Sequence, residues 1–138
     1  MTNANKSRGV IRFRDRKRQI LSFENLRWGN ITPTDIDGFI EYHNRLTILI
    51  EVKYGNAVPS YGQKLAITRT VDDIEKSGKK CIAFFCWHNV DDPYQDIIAA
   101  KTQVRYAYTG GKWHVGNCTL QKAIDEVIYG ANKNVSYP

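Results

Sequence analysis

The sequence predicts an α/β protein, a mixed central β-sheet flanked by helices. Three observations carry that expectation. Residues 34–54 read with a period of two as a β-hairpin. Residues 80–88 (K-C-I-A-F-F-C-W-H) form a near-continuous apolar run, the pattern of a central strand buried on both faces. Between them, residues 60–76 place Leu65, Ile67, Val71 and Ile74 at helical spacing. With 138 residues, 42% hydrophobic, 25% charged and 12% aromatic, the chain has the length and composition of one globular domain. We expect residues 1–13 to form a basic arm and residues 14–138 a single domain.

From about residue 14 the pattern turns helical. Ile20, Phe23 and Leu26, or Leu21 and Leu26, can make an apolar stripe, with Glu24 on this helix or at its end. Arg27-Trp28-Gly29-Asn30 reads as the exit, because Gly and Asn suit a C-terminal cap. Pro33 is tolerated only at a strand start or edge. In the hairpin, His43-Asn44-Arg45 is the polar turn, and an apolar set of even-numbered residues (Ile36, Ile40, Tyr42, Leu46, Ile48, Ile50, Val52) faces the core. Ser60 can cap the next helix, which ends at Ser77-Gly78 and leaves Gln63, Lys64, Arg69 and Asp73 for solvent or substrate. After the strand at 80–88, Asp91-Asp92-Pro93 breaks the chain, and a short helix is expected over 94–100. A strand at 104–108, a turn at Gly110-Gly111 and a final helix at 119–129, with Leu120, Ala123, Ile124 and Val127 inward, complete the chain.

The net charge of +6 is unevenly placed. Residues 1–28 hold Lys6, Arg8, Arg12, Arg14, Arg16, Lys17, Arg18 and Arg27 against Asp15 and Glu24, and the remainder is balanced. Such an arm is an electrostatic handle for the phosphates of nucleic acid; the alternative is a solvated, solubilising end. No stretch is long and apolar enough to span a bilayer, and the start is too polar for a secretory signal. Three cysteines at irregular spacing (Cys81, Cys86, Cys118) argue against a disulfide framework and for a reducing, cytoplasmic compartment.

The hairpin carries the chemistry. A turn centred on Asn44 sets Asp37 opposite Glu51 and Asp35 opposite Lys53, and a slip of one residue would turn the apolar set to the wrong face. Like charges directly opposed across a sheet are destabilising. Two facing carboxylates therefore call for a cation between them, and a hard divalent metal suits oxygen ligands. Lys53 follows on the same face, two residues past Glu51.

Asp37, then Glu51-Val52-Lys53, then a helix and a buried strand, resembles the PD-(D/E)XK nuclease superfamily, and within it the Holliday-junction resolvases and small phage-type nucleases. The resemblance runs from about residue 24 to residue 88 and implies a restriction-endonuclease-like α-β-β-(β)-α-β core. Pro33-Thr34-Asp35-Ile36-Asp37 stands where the signature has adjacent Pro-Asp. Asp37 is the favoured ligand because it opposes Glu51; Asp35 is expected to pair with Lys53. By the same resemblance, Asp37, Glu51 and the Val52 carbonyl would hold Mg²⁺, with Mn²⁺ as a substitute. Lys53 would orient or deprotonate the attacking water. Glu24 would be an additional acid from the first helix, and Gln63 resembles a glutamine that some members place beside the lysine.

The expected activity is metal-dependent DNA endonuclease cleavage, on branched or recombination-intermediate DNA among other forms, with Lys64 and the basic arm (Arg8, Arg12, Arg14, Arg16, Lys17, Arg18) on phosphates. Junction cleavage would call for a homodimer, since two strands must be cut symmetrically. The alternatives are a nucleic-acid-binding module with an idle nuclease site, and a solvated sheet face whose ion pairs contribute little. Cys86, His88, His114 and Cys118 hint at zinc, but their spacing is wrong for it and a buried Cys is ordinary core. Trp87, Tyr94, Tyr106, Tyr108 and Trp113 are expected to split between core and an exposed interface or stacking platform.

Overall fold

The computed structural model describes residues 21–133. The chain divides into two units, residues 1–33 and 34–138. In the first, the basic arm, including Arg8 and Arg12, lies outside the described residues, as do Arg14, Arg16, Lys17, Arg18 and the start of the expected first helix. The rest of that helix does not form. Residues 21–27 are irregular: the Leu26 N–H donates to the Phe23 carbonyl (3.1 Å), and Asn25 takes a left-handed φ of 69°. The Ser22 hydroxyl accepts the Glu24 N–H (3.2 Å), the local side-chain bond by which Ser competes with a helix. Trp28-Gly29-Asn30-Ile31 is a tight turn rather than a helix exit, with Trp28 and Ile31 exchanging backbone bonds of 2.9 and 3.0 Å across Gly29 at φ 64°.

The second unit is the mixed α/β structure expected. Five strands, β1 (Gly38–Tyr42), β2 (Leu46–Tyr54), β3 (Lys80–His88), β4 (Gln103–Thr109) and β5 (Lys112–Val115), lie side by side in that order. β2 and β3 are parallel, joined through helix α1 (Tyr61–Lys76), and the other pairs are antiparallel. Helix α2 (Leu120–Lys133) follows β5.

The hairpin register runs from Gly38↔Ile50 to Tyr42↔Leu46, the register predicted from the turn and the apolar set. His43 and Asn44 both take left-handed φ (50° and 59°), and the Arg45 N–H closes on the Tyr42 carbonyl at 3.0 Å. Two left-handed residues give a turn whose twist matches that of paired strands. The Ser60 cap appears as read, its hydroxyl accepting the Gln63 N–H (3.1 Å); Thr119, read only as the start of the last helix, likewise accepts the Lys122 N–H (3.3 Å).

The core sits on both faces of the sheet. Leu46, Ile48, Ile50, Phe84, Cys86, Val104 and Ala107 meet Leu120 and Ala123 of α2. On the other face Leu49, Ala83, Phe85, Trp87 and Tyr108 meet Ile67 and Val71 of α1. The odd-numbered face of the hairpin is thus covered over β2, where the sequence suggested a polar surface. Thr47 and Glu51 are buried as a consequence.

Within this second unit two elements differ from expectation. The helix predicted at 94–100 is reduced to a 3₁₀ turn at Ala99–Lys101, with Tyr94, Ile97 and Ile98 exposed. A segment that short gains too few hydrogen bonds to offset nucleation without a docked apolar face. β5, exposed throughout, was not foreseen; Lys-Trp-His-Val does alternate polar and apolar, but four residues after a Gly-Gly turn are too few to mark a strand. Gly116 follows it, and a Cβ there would stand 2.9 Å from Val104 Cγ1 and 3.2 Å from the Val104 carbonyl oxygen. Gly116→Ala should therefore destabilise the fold by about 1–3 kcal/mol, as overpacking does, measured by urea unfolding. A neutral result would mean the β5–α2 connection shifts freely.

Candidate functional site

β1 begins one residue after Asp37, so the ladder to β2 ends at Gly38↔Ile50. Beyond that rung the Val52 N–H has no strand to pair with. Asp37 takes it instead, accepting with Oδ2 at 2.7 Å. The side chain of Asp37 thereby stands in for the missing strand and is tied to β2 beside Glu51. A residue in an extended strand points its N–H and C=O to the same edge, so the Val52 carbonyl also faces the Asp37 side.

Glu51 is only 4% exposed. Lys53 Nζ lies 3.4 Å from its Oε1, while Oε2 is buried with no hydrogen-bond partner. Gln63, one of the first residues of α1, is buried rather than turned to solvent, and its side chain favours the ionised form of the same carboxylate. Burial pushes the Glu51 carboxyl up from its ordinary 4.5 to about 7. The neighbouring Asp37 carboxylate adds to the rise; Lys53 and Gln63 oppose it. An ionised carboxylate desolvated beside a second carboxylate is costly. Surface ion pairs on a wetted sheet face do not have this character.

Asp37, Glu51, Lys53 and Gln63 therefore gather around one buried carboxylate. Glu24 lies in the first unit, on a turn rather than on the helix that motivated its choice. The pair expected between Asp35 and Lys53 is not made: Asp35 precedes β1 by three residues and Lys53 pairs with Glu51. Lys64 is exposed, with its ammonium over the Trp113 ring, 5.2 Å from the centroid.

Comparison with family models, curated proteins and solved structures returned no match. The site's meaning rests on its own chemistry.

Among the described residues no group of three or more His, Cys, Asp and Glu side chains comes together. Cys86 is a core residue whose thiol is raised to about 11, chiefly by burial, and His88 Nδ1 accepts the Val90 N–H at 3.1 Å. The donor set at Asp37 is thus two carboxylates and a backbone carbonyl. That set fits a hard cation that keeps much of its water and is bound through one or two carboxylates plus substrate phosphate, as Mg²⁺ is. The unpaired Glu51 Oε2 is the atom such a cation would satisfy.

One residue at the neighbouring strands escaped sequence reasoning. Val104 and Ala107 face α2, whereas Tyr108 faces α1. The register of β3 against β4 shifts between Phe85↔Tyr106 and Cys86↔Val104, leaving Arg105 as the extra residue of a β-bulge. A bulge re-aims a side chain, and the Arg105 guanidinium lies over the Trp87 ring, 5.0 Å from its centroid.

Proposed function

We propose that the protein is a divalent-cation-dependent DNA endonuclease of the PD-(D/E)XK kind, built on a restriction-endonuclease-like core. The observation that carries this reading is the buried Glu51 carboxylate, with one oxygen unpaired, beside Asp37 and Lys53. The order of elements supports it: an acid at the head of β1, Glu-x-Lys on β2, and Gln63 on the helix that leads to a buried parallel strand.

Asp37, Glu51 and the Val52 carbonyl would bind Mg²⁺ or Mn²⁺. Such a cation, when bound, supplies positive charge against the phosphate and acidifies water. Lys53 projects to the same place, where its ammonium can donate to a phosphate oxygen as charge develops on it and orient the attacking water. Gln63 holds the Glu51 carboxylate in place. The basic residues of the N-terminal arm add attraction for the DNA backbone.

The test is incubation of the purified protein with supercoiled, linear, single-stranded and four-way-junction DNA, with Mg²⁺, Mn²⁺ or EDTA. Cleavage of at least one form with either cation, and none in EDTA, is expected. Cleavage in EDTA, or none of any form with either cation, overturns the reading.

A further inference from the structure

A cavity of about 430 Å³ opens on the α1 face of the sheet. Its floor and walls include Phe85, Trp87, Tyr106 and Trp113, and two cations, Lys64 and Arg105, border it. Phe85 is the in-register neighbour of Glu51, and Trp87 that of Lys53. Paired residues of adjacent strands share a face, so the aromatic floor starts one strand spacing, ~4.8 Å, from the carboxylate and the lysine. One nucleotide advances a DNA strand by ~3.4 Å, a step of the same order.

The floor is held ready. The Trp87 indole N–H donates to the Ala57 carbonyl at 2.7 Å, which fixes that ring. Trp113 is braced by Phe85 and Tyr108, at centroid distances of 5.4 and 5.1 Å. Tyr106 and Trp113 still leave 47% and 44% of their surface open. Arg105 reaches the cavity only because of the β-bulge; regular alternation would turn it away from Tyr106. Among the described residues no acidic side chain lines the cavity. Flat rings bordered by cations, with no carboxylate of their own, suit a planar group attached to an anion.

We infer that this cavity takes an unpaired nucleobase of the DNA strand whose phosphate lies at Glu51 and Lys53. The inference rests on the nuclease reading and adds a substrate class to it: DNA with single-stranded or unstacked nucleotides beside the cut. The base stacks on Tyr106 and Trp113, as in sequence-tolerant single-strand binding, and Lys64 and Arg105 meet the flanking phosphates. A base inside a duplex is unavailable to such a cavity until it leaves its stack.

Binding in EDTA tests this apart from catalysis. Tryptophan fluorescence is titrated with a short oligo(dT) and with an abasic strand of the same length and charge. Roughly tenfold to hundredfold tighter binding of oligo(dT) is expected from stacking. Equal affinity for the two strands overturns the inference, because phosphate attraction alone would then account for binding. Tyr106→Ala and Trp113→Leu, the second keeping an apolar packing group, should each erode the preference for oligo(dT) while leaving abasic binding unchanged; an intact preference in both overturns it. If the preference is present and no DNA is cut with Mg²⁺ or Mn²⁺, the base site stands and the nuclease reading falls. If DNA is cut but the preference is absent, the nuclease stands and the base site falls.

Discussion

Glu51→Gln is expected to lower divalent-dependent DNA cleavage by at least about 10²-fold, the scale on which positioned catalytic and charge-stabilising groups act. Glutamine keeps the shape of the buried side chain and removes the charge that the proposed cation needs. The fold has little reason to fail, since a neutral amide is easier to bury than a carboxylate beside Asp37. Asp37→Asn should act alike, and its amide oxygen can still accept the Val52 N–H that ties the edge of β1 to β2. Lys53→Ala should also lose about 10²-fold in kcat. Gln63→Ala removes a partner that orients Glu51 rather than the carboxylate itself, so a smaller loss, about 10–100-fold, is expected. Single-turnover cleavage measures the series, and DNA affinity in EDTA is the control. Removing an acid near the phosphate path should leave that affinity unchanged or raise it. Glu51→Gln that retains more than a tenth of wild-type cleavage (a loss of less than ~10-fold against the ~10² expected) would refute the assignment of this carboxylate.

The register of the hairpin was legible because two signals agreed. The polar turn at His43-Asn44 and the even-numbered apolar set each demanded the pairing that places Gly38 opposite Ile50. The burial of Glu51 was not legible from the hairpin alone. It depends on α1 docking across β2 and on β3 pairing parallel beside it, contacts between residues far apart in sequence. A hint was present in Leu49, an apolar residue on the face read as polar, which is now among the most buried side chains. The aromatic cavity was hidden for another reason. Val-Arg-Tyr-Ala-Tyr reads as an unbroken alternation, and only Val104 and Ala107 sharing the α2 face reveals that Arg105 is an inserted residue. At the start of the chain, apolar spacing over Phe23 and Leu26 suggested a helix, but Asn25 and Gly29 take left-handed turns that local chemistry favours.

The pH dependence of stability gives a second large effect, independent of DNA. In the unfolded chain the Glu51 carboxyl titrates near 4.5, and in the metal-free fold at about 7. Between those values the folded state holds more protons than the unfolded one, so stability must fall as pH rises through the window. Below it the group is protonated in both states and the effect vanishes; above it the loss is complete. At the shift shown, the full loss is roughly 3 kcal/mol, on the order of 10 °C in Tm for a domain of this size. The quantity to measure is wild type minus Glu51→Gln, by thermal unfolding in EDTA, because the difference cancels every group common to both proteins. The variant should gain on the wild type as pH climbs; parallel curves would mean Glu51 titrates normally. Saturating Mg²⁺ should reverse the loss, because a ligand that binds only the folded state adds about 2.7 kcal/mol at a hundred times its Kd. The gain should be greatest above the window, where both carboxylates are ionised, shrink toward its acid end as protons compete, and be absent in Glu51→Gln. A Mg²⁺ effect equal in both proteins would put the cation elsewhere and remove Asp37 and Glu51 as its ligands.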